Sequence, residues 1–341
     1  MKPLVSIIIV NWNGVQHLEC CLASLKAQSF RDFEVVLVDN GSSDGSVAYL
    51  KERHPWVRLV ELQENTGFAT GNNVGLRHCL GDYVVTLNND TRAEPDWLET
   101  LVRVAQANPS VGMVGSRICS FDDPDLIDSL GHGVCLDGMS RGRFRLQKYS
   151  DLELPEVVEI LFPSACVALY RRSMLEETGF FDDDFFAYAE DTDLGLRCRL
   201  AGWPALLATR AVVYHKYSMT GGSFSAFKVY LVERNHYWVA LKSFPPHLLF
   251  LVPFYTLLRY FTQAAAVLAG KGSGREFRDS GSRASIAAVL LKGTLHAVAG
   301  SARMLAKRRE IMRRKRISHR EMAHLLKRYR MGFAELLDLT Q

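Results

Sequence analysis

The sequence predicts an α/β protein: a mixed, mostly parallel sheet with helices on both faces, followed by a helical C-terminal region that associates with membranes. Three observations carry this expectation. The first two-thirds of the chain alternates short, continuous apolar runs with segments of helical spacing. Several runs end in clusters of Asn, Asp and Gly, residues that turn a chain. Beyond His215 the alternation stops, and long apolar stretches lead into a basic end.

Leu4 to Val10 is β-branched and apolar throughout, the pattern of a strand buried on both faces. Val15 to Gln28 follows with helical spacing through Leu18, Cys21, Leu22 and Leu25. A second strand, Phe33 to Val38, ends at Asp39, and the turn Asn40 to Ser46 leads into a helix over Val47 to Arg53. Val57 to Leu62, a helix over Phe68 to Cys79 and a strand over Tyr83 to Leu87 continue the alternation as far as Asn88, Asn89 and Asp90. A helix is expected over Glu94 to Ala107, with Pro95 near its start, and a strand over Val111 to Ile118. Phe121 to Pro155 is polar, Gly-rich and aperiodic, and is expected to be a loop-rich insertion over the crevice. Leu161 to Tyr170 reads as a strand, Arg171 to Thr178 as a short helix, and Thr192 to Ala201 as a helix opened by Glu190 and Asp191. A last apolar strand, Ala211 to Tyr214, delivers His215.

The chain has 341 residues, 48% hydrophobic and 23% charged, which excludes a wholly disordered chain and allows one large domain with an appendage. Its formal charge of +4 is unevenly spread, acidic residues lying mainly before Asp193 and basic ones gathering after Arg303. The seven cysteines are scattered without metal-type spacing, as expected of buried thiols in a reducing compartment. The opening apolar run stops at Asn11 to Gly14 with no small-residue cleavage site, so the chain is expected to stay cytoplasmic.

Sheets of this kind bind ligands beyond the carboxyl ends of their strands. Asp39 and Asp90 stand at two such ends, so both can face one crevice. A carboxylate such as Asp39 can accept a hydrogen bond from a pyrimidine ring N–H, which favours uridine or thymidine. Asp90 suits Mg2+ or Mn2+, hard cations that bridge carboxylates to phosphates and stabilise a departing diphosphate. Asp191 is the candidate general base, since a carboxylate in a partly dry cleft titrates nearer the working pH, and Glu190 beside it can tune it or bind an acceptor. A neutral His215 can complete a metal shell. Together these are the needs of a crevice for a nucleoside diphosphate sugar. Plain structural roles compete at each position: Asp39 and Asp44 as turn residues, Asp90 in an Asx-turn, Glu190 and Asp191 as helix caps, His215 as a bonded core histidine, and Asn65, Gly67 and Gly71 as the shape of a strand-to-helix turn.

Five segments then resemble glycosyltransferase family 2, the inverting enzymes of GT-A fold, and within it the bacterial rhamnosyltransferase-like branch. They are Val5 to Gly14 (VSIIIVNWNG), Val36 to Ser46 (VLVDNGSSDGS), Glu64 to Asn73 (ENTGFATGNN), Leu87 to Thr91 (LNNDT) and Phe185 to Leu194 (FFAYAEDTDL), in the family's order. The resemblance implies that Asp39 contacts the nucleobase, with Asn11, Asp44, Asn65 and Gly67 also on the donor side. It implies that Asp90 is the surviving aspartate of the DxD metal motif, that His215 is a metal ligand and that Asp191 is the base. Asn88 stands where strict DxD has its first aspartate, as is usual in the rhamnosyltransferase-like branch. The expected reaction is transfer, with inversion, from a dTDP-rhamnose or UDP-sugar donor to a glycan or lipid-linked acceptor in cell-surface polysaccharide synthesis. No second carboxylate has a nucleophile-like setting, which fits a single displacement.

The domain boundary is expected at 225/226, within a zone from Ser223 to Ala240. Phe244 to Leu258 is uncharged but short, contains three prolines and runs into Arg259. With the Gly/Ser/Arg-rich stretch Gly270 to Arg283, the apolar helix Ala284 to Leu305 and the basic stretch from Lys307 to Arg316, it suggests an element lying on the cytoplasmic face of the inner membrane. A packed subdomain and a true span are the competing readings. Few aromatics accompany the basic residues, which argues against nucleic acid. A sugar-nucleotide nucleotidyltransferase would carry a Gly-rich loop and a basic residue after the first strand, and a dinucleotide oxidoreductase would carry G-x-G-x-x-G there; neither is present. A degenerate, non-catalytic scaffold would have lost acidic residues that are all present here.

Overall fold

The computed structural model describes residues 2–216, 225–269 and 283–337. Over these it forms two compact units. The first comprises Met1–His132, Gly142–Cys198 and Trp203–Thr220, and the second Gly133–Arg141, Arg199–Gly202 and Gly221–Gln341, each over its described residues. The expected stretch 270–282 and the Ser223 end of the expected boundary zone lie outside the described residues.

The first unit is built on one sheet. Strands β1 (Val5–Asn11), β2 (Phe33–Asn40), β3 (Arg58–Leu62) and β4 (Tyr83–Leu87) alternate with helices α1 (Val15–Lys26), α2 (Ser46–Arg53) and α3 (Gly67–His78). These four strands run parallel in the order β4-β1-β2-β3. Ile7, Ile8 and Ile9 of β1 are fully buried, so both faces of the strand are covered. Each such side chain contributes roughly 1.5–3 kcal/mol by leaving water. A short strand, β5 (Thr91–Ala93), follows β4 and leads to α4 (Trp97–Ala107), whose Trp97, Leu98, Leu101 and Ala105 join the same core.

The sheet continues through β6 (Met113–Ser120), β10 (Val157–Ile160), β11 (Val167–Arg171) and β12 (Ala205–His215), giving the order β10-β12-β6-β11-β4-β1-β2-β3. Of the strand expected over Leu161 to Tyr170 only the second half forms, as β11; residues 161–166 lie outside any strand and follow β10, which the sequence did not announce. Pro163 has no N–H for a ladder. The two strands also go to different places: β10 pairs antiparallel with β12 at the sheet edge, and β11 lies antiparallel between β4 and β6. The last strand is longer than expected, and its pairing with β6 shifts register between Ala208 and Val212. Short helix α5 (Arg172–Thr178) follows β11, and α6 (Glu190–Leu200) begins two residues before the expected start.

The region read as a loop-rich insertion carries β7 (Ile127–Ser129), β8 (His132–Val134), β9 (Ser140–Gly142) and a single 3₁₀ turn at Tyr149–Asp151. β7 adds to the main sheet beside β6, pairing Ser129 with Ile118 and Ile127 with Cys119. Aperiodicity hid this strand because three residues are too few for an alternating pattern.

In the second unit, α7 (Ala226–Ser243) packs on α10 (Arg283–Arg313). Close approach is possible because α10 presents Gly300 to Trp238, where a Cβ would lie 2.6 Å from the indole ring. Trp238 Nε1 in turn donates to the Ala297 carbonyl (3.1 Å). The remaining described helices of this unit are α8 (Pro246–Leu249), α9 (Val252–Ala269), α11 (His319–Arg328) and α12 (Phe333–Leu336). Arg259, which interrupts the apolar sequence, is fully buried on α9. Its guanidinium donates to Asp137 (2.6 Å) and Glu233 (3.0 Å), and His236 bonds the Asp137 carbonyl (2.8 Å). Phe250, Phe254, Leu257, Phe261 and Leu268 point outward instead, Phe250 being 85% and Phe261 72% exposed. Phe250 precedes α9, and the spacing of the other four marks one face of that helix. Leu291, Leu295 and Val298 make a similar exposed stripe on α10. No helix among the described residues is long and apolar enough to cross a membrane.

Candidate active site

Parallel register sets Asn11 of β1 directly opposite Asp39 of β2. Asn11 is fully buried and its amide donates to Asp39 Oδ1 (3.0 Å) and Ser42 Oγ (3.3 Å). Its oxygen accepts from Asn89 Nδ2 (2.7 Å), tying the end of β4 to the end of β1. Asp39 Oδ2 accepts from the Ser42 N–H (2.9 Å), which rounds the turn after β2. Gly14 makes room for this cluster: a Cβ there would lie 2.2 Å from Asn89 Nδ2. Three strand ends are thereby locked at one level, and Asn11 acts by holding Asp39 and Asn89.

Asp44 serves the turn. It accepts from the Val15 N–H (2.9 Å) at the start of α1 and from the Ser46 hydroxyl (2.6 Å) at the start of α2. Burial opposes ionisation there, but the Ser46 and Val15 bonds prevail and hold its carboxyl below the usual range. Asn65 Oδ1 accepts from the Gly67 N–H (2.9 Å) and from Asn40 Nδ2 (3.1 Å). Asn40 also bonds the Thr66 N–H and hydroxyl, so this residue, unremarked in the sequence, organises the turn. Gly67 has φ +88°, and a Cβ on it would lie 2.5 Å from the Phe186 carbonyl. The start of α3 is thus seated on the segment that leads to Glu190 and Asp191. Ala69 N–H bonds the Phe186 carbonyl (3.0 Å), and Thr70 and Asn73 both bond Asp183 (2.8 and 2.7 Å).

β5 explains how Asp90 meets His215. Thr91 pairs with His215 across the β5–β12 ladder, and the Lys216 N–H bonds the Asp90 carbonyl (3.0 Å). His215 Nε2 lies 3.4 Å from Asp90 Oδ1. That oxygen is buried and makes no hydrogen bond. On the other side His215 Nδ1 donates to Asp128 Oδ2 (2.8 Å) on β7. Burial favours a neutral ring, yet Cys166 and the two carboxylates raise His215 well above its ordinary value. Burial likewise opposes ionisation of Asp128, and the His215 bond overrides it, keeping that carboxyl low. A carboxylate behind a histidine whose far nitrogen faces a second carboxylate is a common setting for a metal ligand. Asp90 and His215 therefore fit as two protein ligands of a divalent cation. No group of three or more His, Cys, Asp or Glu side chains is arranged to hold a metal among the described residues.

Asp191 lies in the first turn of α6. Its Oδ2 accepts from the Ala165 N–H (3.2 Å) and its Oδ1 from the Thr192 N–H (2.7 Å). Glu190 is buried, and burial followed by the Asp191 charge raises its carboxyl well above the usual range. The approach to this pair is strained: Phe186, Tyr188 and Ala189 all have positive φ, at 66°, 68° and 64°. Residues 164–166 connect the halves of the site. Ala165 bonds Asp191, and the Cys166 carbonyl accepts from the Asn88 N–H (2.9 Å) beside Asp90. This bridge is available because residues 161–166 lie outside any strand.

The sequence did not single out Asp128, Asn40, Asn89 or His132, whose Nδ1 lies 4.0 Å from Asp191 Oδ2. Asn89 and Asn40 were legible as part of the strand-end turns; Asp128 and His132 had no local signal. All seven cysteines are free, and burial pushes Cys21 and Cys79 up to about 12, so neither is a reactive thiol.

The mixed sheet with acidic residues gathered at its strand ends has the GT-A fold, and the chain is a glycosyltransferase. The chain belongs to glycosyl transferase family 2, whose family model matches residues 6–179. The match stops short of Asp191 and His215. Over 242 residues the chain is 29% identical to an N-acetylglucosaminyl-diphospho-decaprenol L-rhamnosyltransferase of Mycobacterium tuberculosis, covering 65% of this chain and 79% of that protein. Its fold is similar to a mannosyltransferase from Pyrobaculum calidifontis solved with GDP-Man and Mn2+ (TM-score 0.54, 21% identity, 92% of this chain and 86% of the other). It is also similar to GalNAc-T7 solved with UDP, GalNAc and Mn2+ (TM-score 0.58, 16% identity, 72% of this chain and 49% of the other).

Proposed function

We propose that this glycosyltransferase moves rhamnose from dTDP-rhamnose, or a hexose from a UDP-sugar, onto a hydroxyl of a lipid-linked glycan, with inversion at the anomeric carbon. The observation that carries the reading is the arrangement about residues 164–166, with Asp191 bonded at Ala165 and the Asp90–His215 pair reached through Cys166 and Asn88. Asp191 takes the proton from the acceptor hydroxyl. The freed oxygen forms a bond to the anomeric carbon as the bond from that carbon to the diphosphate breaks, and the electron pair leaves with the diphosphate. Asp39 receives the base, an oxygen lone pair on each side remaining for a pyrimidine N–H. Asp90 and His215 would hold Mg2+ or Mn2+, which when bound supplies Lewis-acid stabilisation of the leaving diphosphate. Kinship with a protein named for a rhamnosyl transfer to a diphospholipid-linked sugar supports this donor and acceptor class.

Thermal shift with dTDP-rhamnose, UDP-glucose, UDP-galactose and UDP-N-acetylglucosamine, with and without Mg2+ or Mn2+, tests the donor. One of them is expected to stabilise the protein by several degrees with metal present, ligand at about 100 times Kd being worth about 2.7 kcal/mol. Asp90→Asn is expected to abolish the metal-dependent part. Stabilisation by none would defeat the reading, and stabilisation independent of metal would remove the role given to Asp90 and His215.

The same reading places the protein on the cytoplasmic membrane surface. The exposed aromatic and aliphatic stripe on α9, the second on α10 and the basic residues Lys307, Arg309 and Arg313 that follow on α10 together suit an element lying in the headgroup layer. Vesicles containing one-third anionic lipid should retain the wild type in flotation. Phe254→Ser/Phe261→Ser should lower vesicle binding at least tenfold while leaving Tm unchanged, since both side chains are exposed. Equal flotation of the two proteins would count against the assignment.

A further inference from the structure

His132 has no place in the reaction outlined so far, yet its ring is directed at the base. Nδ1 lies 4.0 Å from Asp191 Oδ2, is buried, and has no hydrogen-bond partner. The ring is held from behind by Phe162, centroid to centroid 5.5 Å, and the His132 N–H bonds the Phe162 carbonyl (3.0 Å). Phe162 is itself fully buried and presses on α6 at Gly195, where a Cβ would lie 2.3 Å from the phenyl ring. One packed side chain therefore fixes His132 relative to the helix that carries Asp191.

We propose that His132 is a positioning residue for Asp191: its Nδ1–H aims and stabilises the carboxylate that deprotonates the acceptor. This rests on the role given to Asp191 above. The separation is one small side-chain rotation longer than a hydrogen bond, and such bonds commonly tighten only when substrates are bound. Asp191 then has four polar neighbours at its oxygens: the Thr192 N–H and the Thr192 hydroxyl (3.2 Å) at Oδ1, and the Ala165 N–H and His132 at Oδ2. At Oδ2 the Ala165 N–H is a main-chain group fixed by the fold, so His132 is the adjustable partner of that oxygen. Four residues earlier, Asp128 stands behind His215 in the same manner, so the stretch from β7 to β8 supports both halves of the site.

Two measurements test the proposal, and the first needs no substrate. The ring 15N signals of His132, assigned by their loss in His132→Asn, should show the proton on Nδ1 in the wild type and a shift toward the Nε2–H form in Asp191→Ala. An unprotonated Nδ1 in the wild type, or a ring unchanged by Asp191→Ala, overturns the proposal. The second is transfer from dTDP-rhamnose to an N-acetylglucosaminyl-diphosphoryl lipid. His132→Ala should lower kcat roughly 10–100-fold, the usual effect of losing a side chain that orients a reacting one, with donor KM within about twofold. His132→Asn, which keeps an N–H near the same point, should recover most of the loss. In an Asp191→Asn background His132→Ala should add nothing, whereas an equal further loss would mean that the two act independently. Failure of wild-type transfer with this pair would count against the donor and acceptor proposed above, and the ring signals would still decide on His132.

Discussion

Asp191→Asn is expected to lower kcat by roughly 10²–10⁴-fold, the usual contribution of a positioned general base, with donor KM little changed. The substitution is close to isosteric. Asparagine keeps an oxygen to accept from the Ala165 or Thr192 N–H, so folding should survive, with Tm within a few degrees of wild type. What it removes is proton affinity. Glu190, preceding it in the chain, cannot replace it, because burial alone, the larger cause of its raised pKa, holds that carboxyl toward its protonated form. The measurement is steady-state transfer by purified variant and wild type with the donor found by thermal shift. Activity within threefold of wild type, with intact folding, would remove Asp191 from the role of base.

Arg259→Ala is the expected largest loss of stability, about 3–5 kcal/mol, the effect of stripping one partner from buried ion pairs. Asp137 and Glu233 would remain buried with no cation of comparable reach. The pH dependence has a definite sign. Burial pushes the Glu233 carboxyl up, but His236 and Arg259 together bring it down to about 2. A carboxylate whose folded pKa is depressed stabilises the fold above its ordinary range, and that stability is lost as pH falls from about 4.5 toward 2. Urea unfolding at pH 7, 5 and 3 should show the wild type weakening between the last two. In Arg259→Ala, where one of the groups depressing Glu233 is gone, the loss between pH 5 and 3 should be smaller than in the wild type. A variant as stable as wild type at pH 7 would show that the buried network contributes little.

Much of the site could be read from the chain before its structure was known, for a reason specific to this architecture. Parallel strands end on one edge of the sheet, so Asp39 and Asp90 could be assigned to one crevice from local patterns alone. The family model match sets aside the nucleotidyltransferase and oxidoreductase alternatives. What stayed hidden depends on pairings between distant segments. Asp128 matters because β7 adds beside β6, and nothing within three residues announces that. His132 matters because Phe162 packs behind it, and Asp90 reaches His215 through β5, too short to show a period. Arg259 misled in another way: charge in an apolar stretch reads as a boundary with water, and here it is a buried cation whose partners lie 26 and 122 positions away.

The positive-φ run at Phe186, Tyr188 and Ala189 bears on the order in which the molecule comes apart. Each such residue costs on the order of 1–3 kcal/mol. Three together amount to a large part of the 5–15 kcal/mol by which a typical domain stays folded. α3 is seated on this segment through Ala69, Thr70 and Asn73 and helps to hold that conformation. Asp191 therefore follows directly on a strained segment, and gradual weakening of the protein would be felt in the chemistry proposed for it before it was felt in its shape.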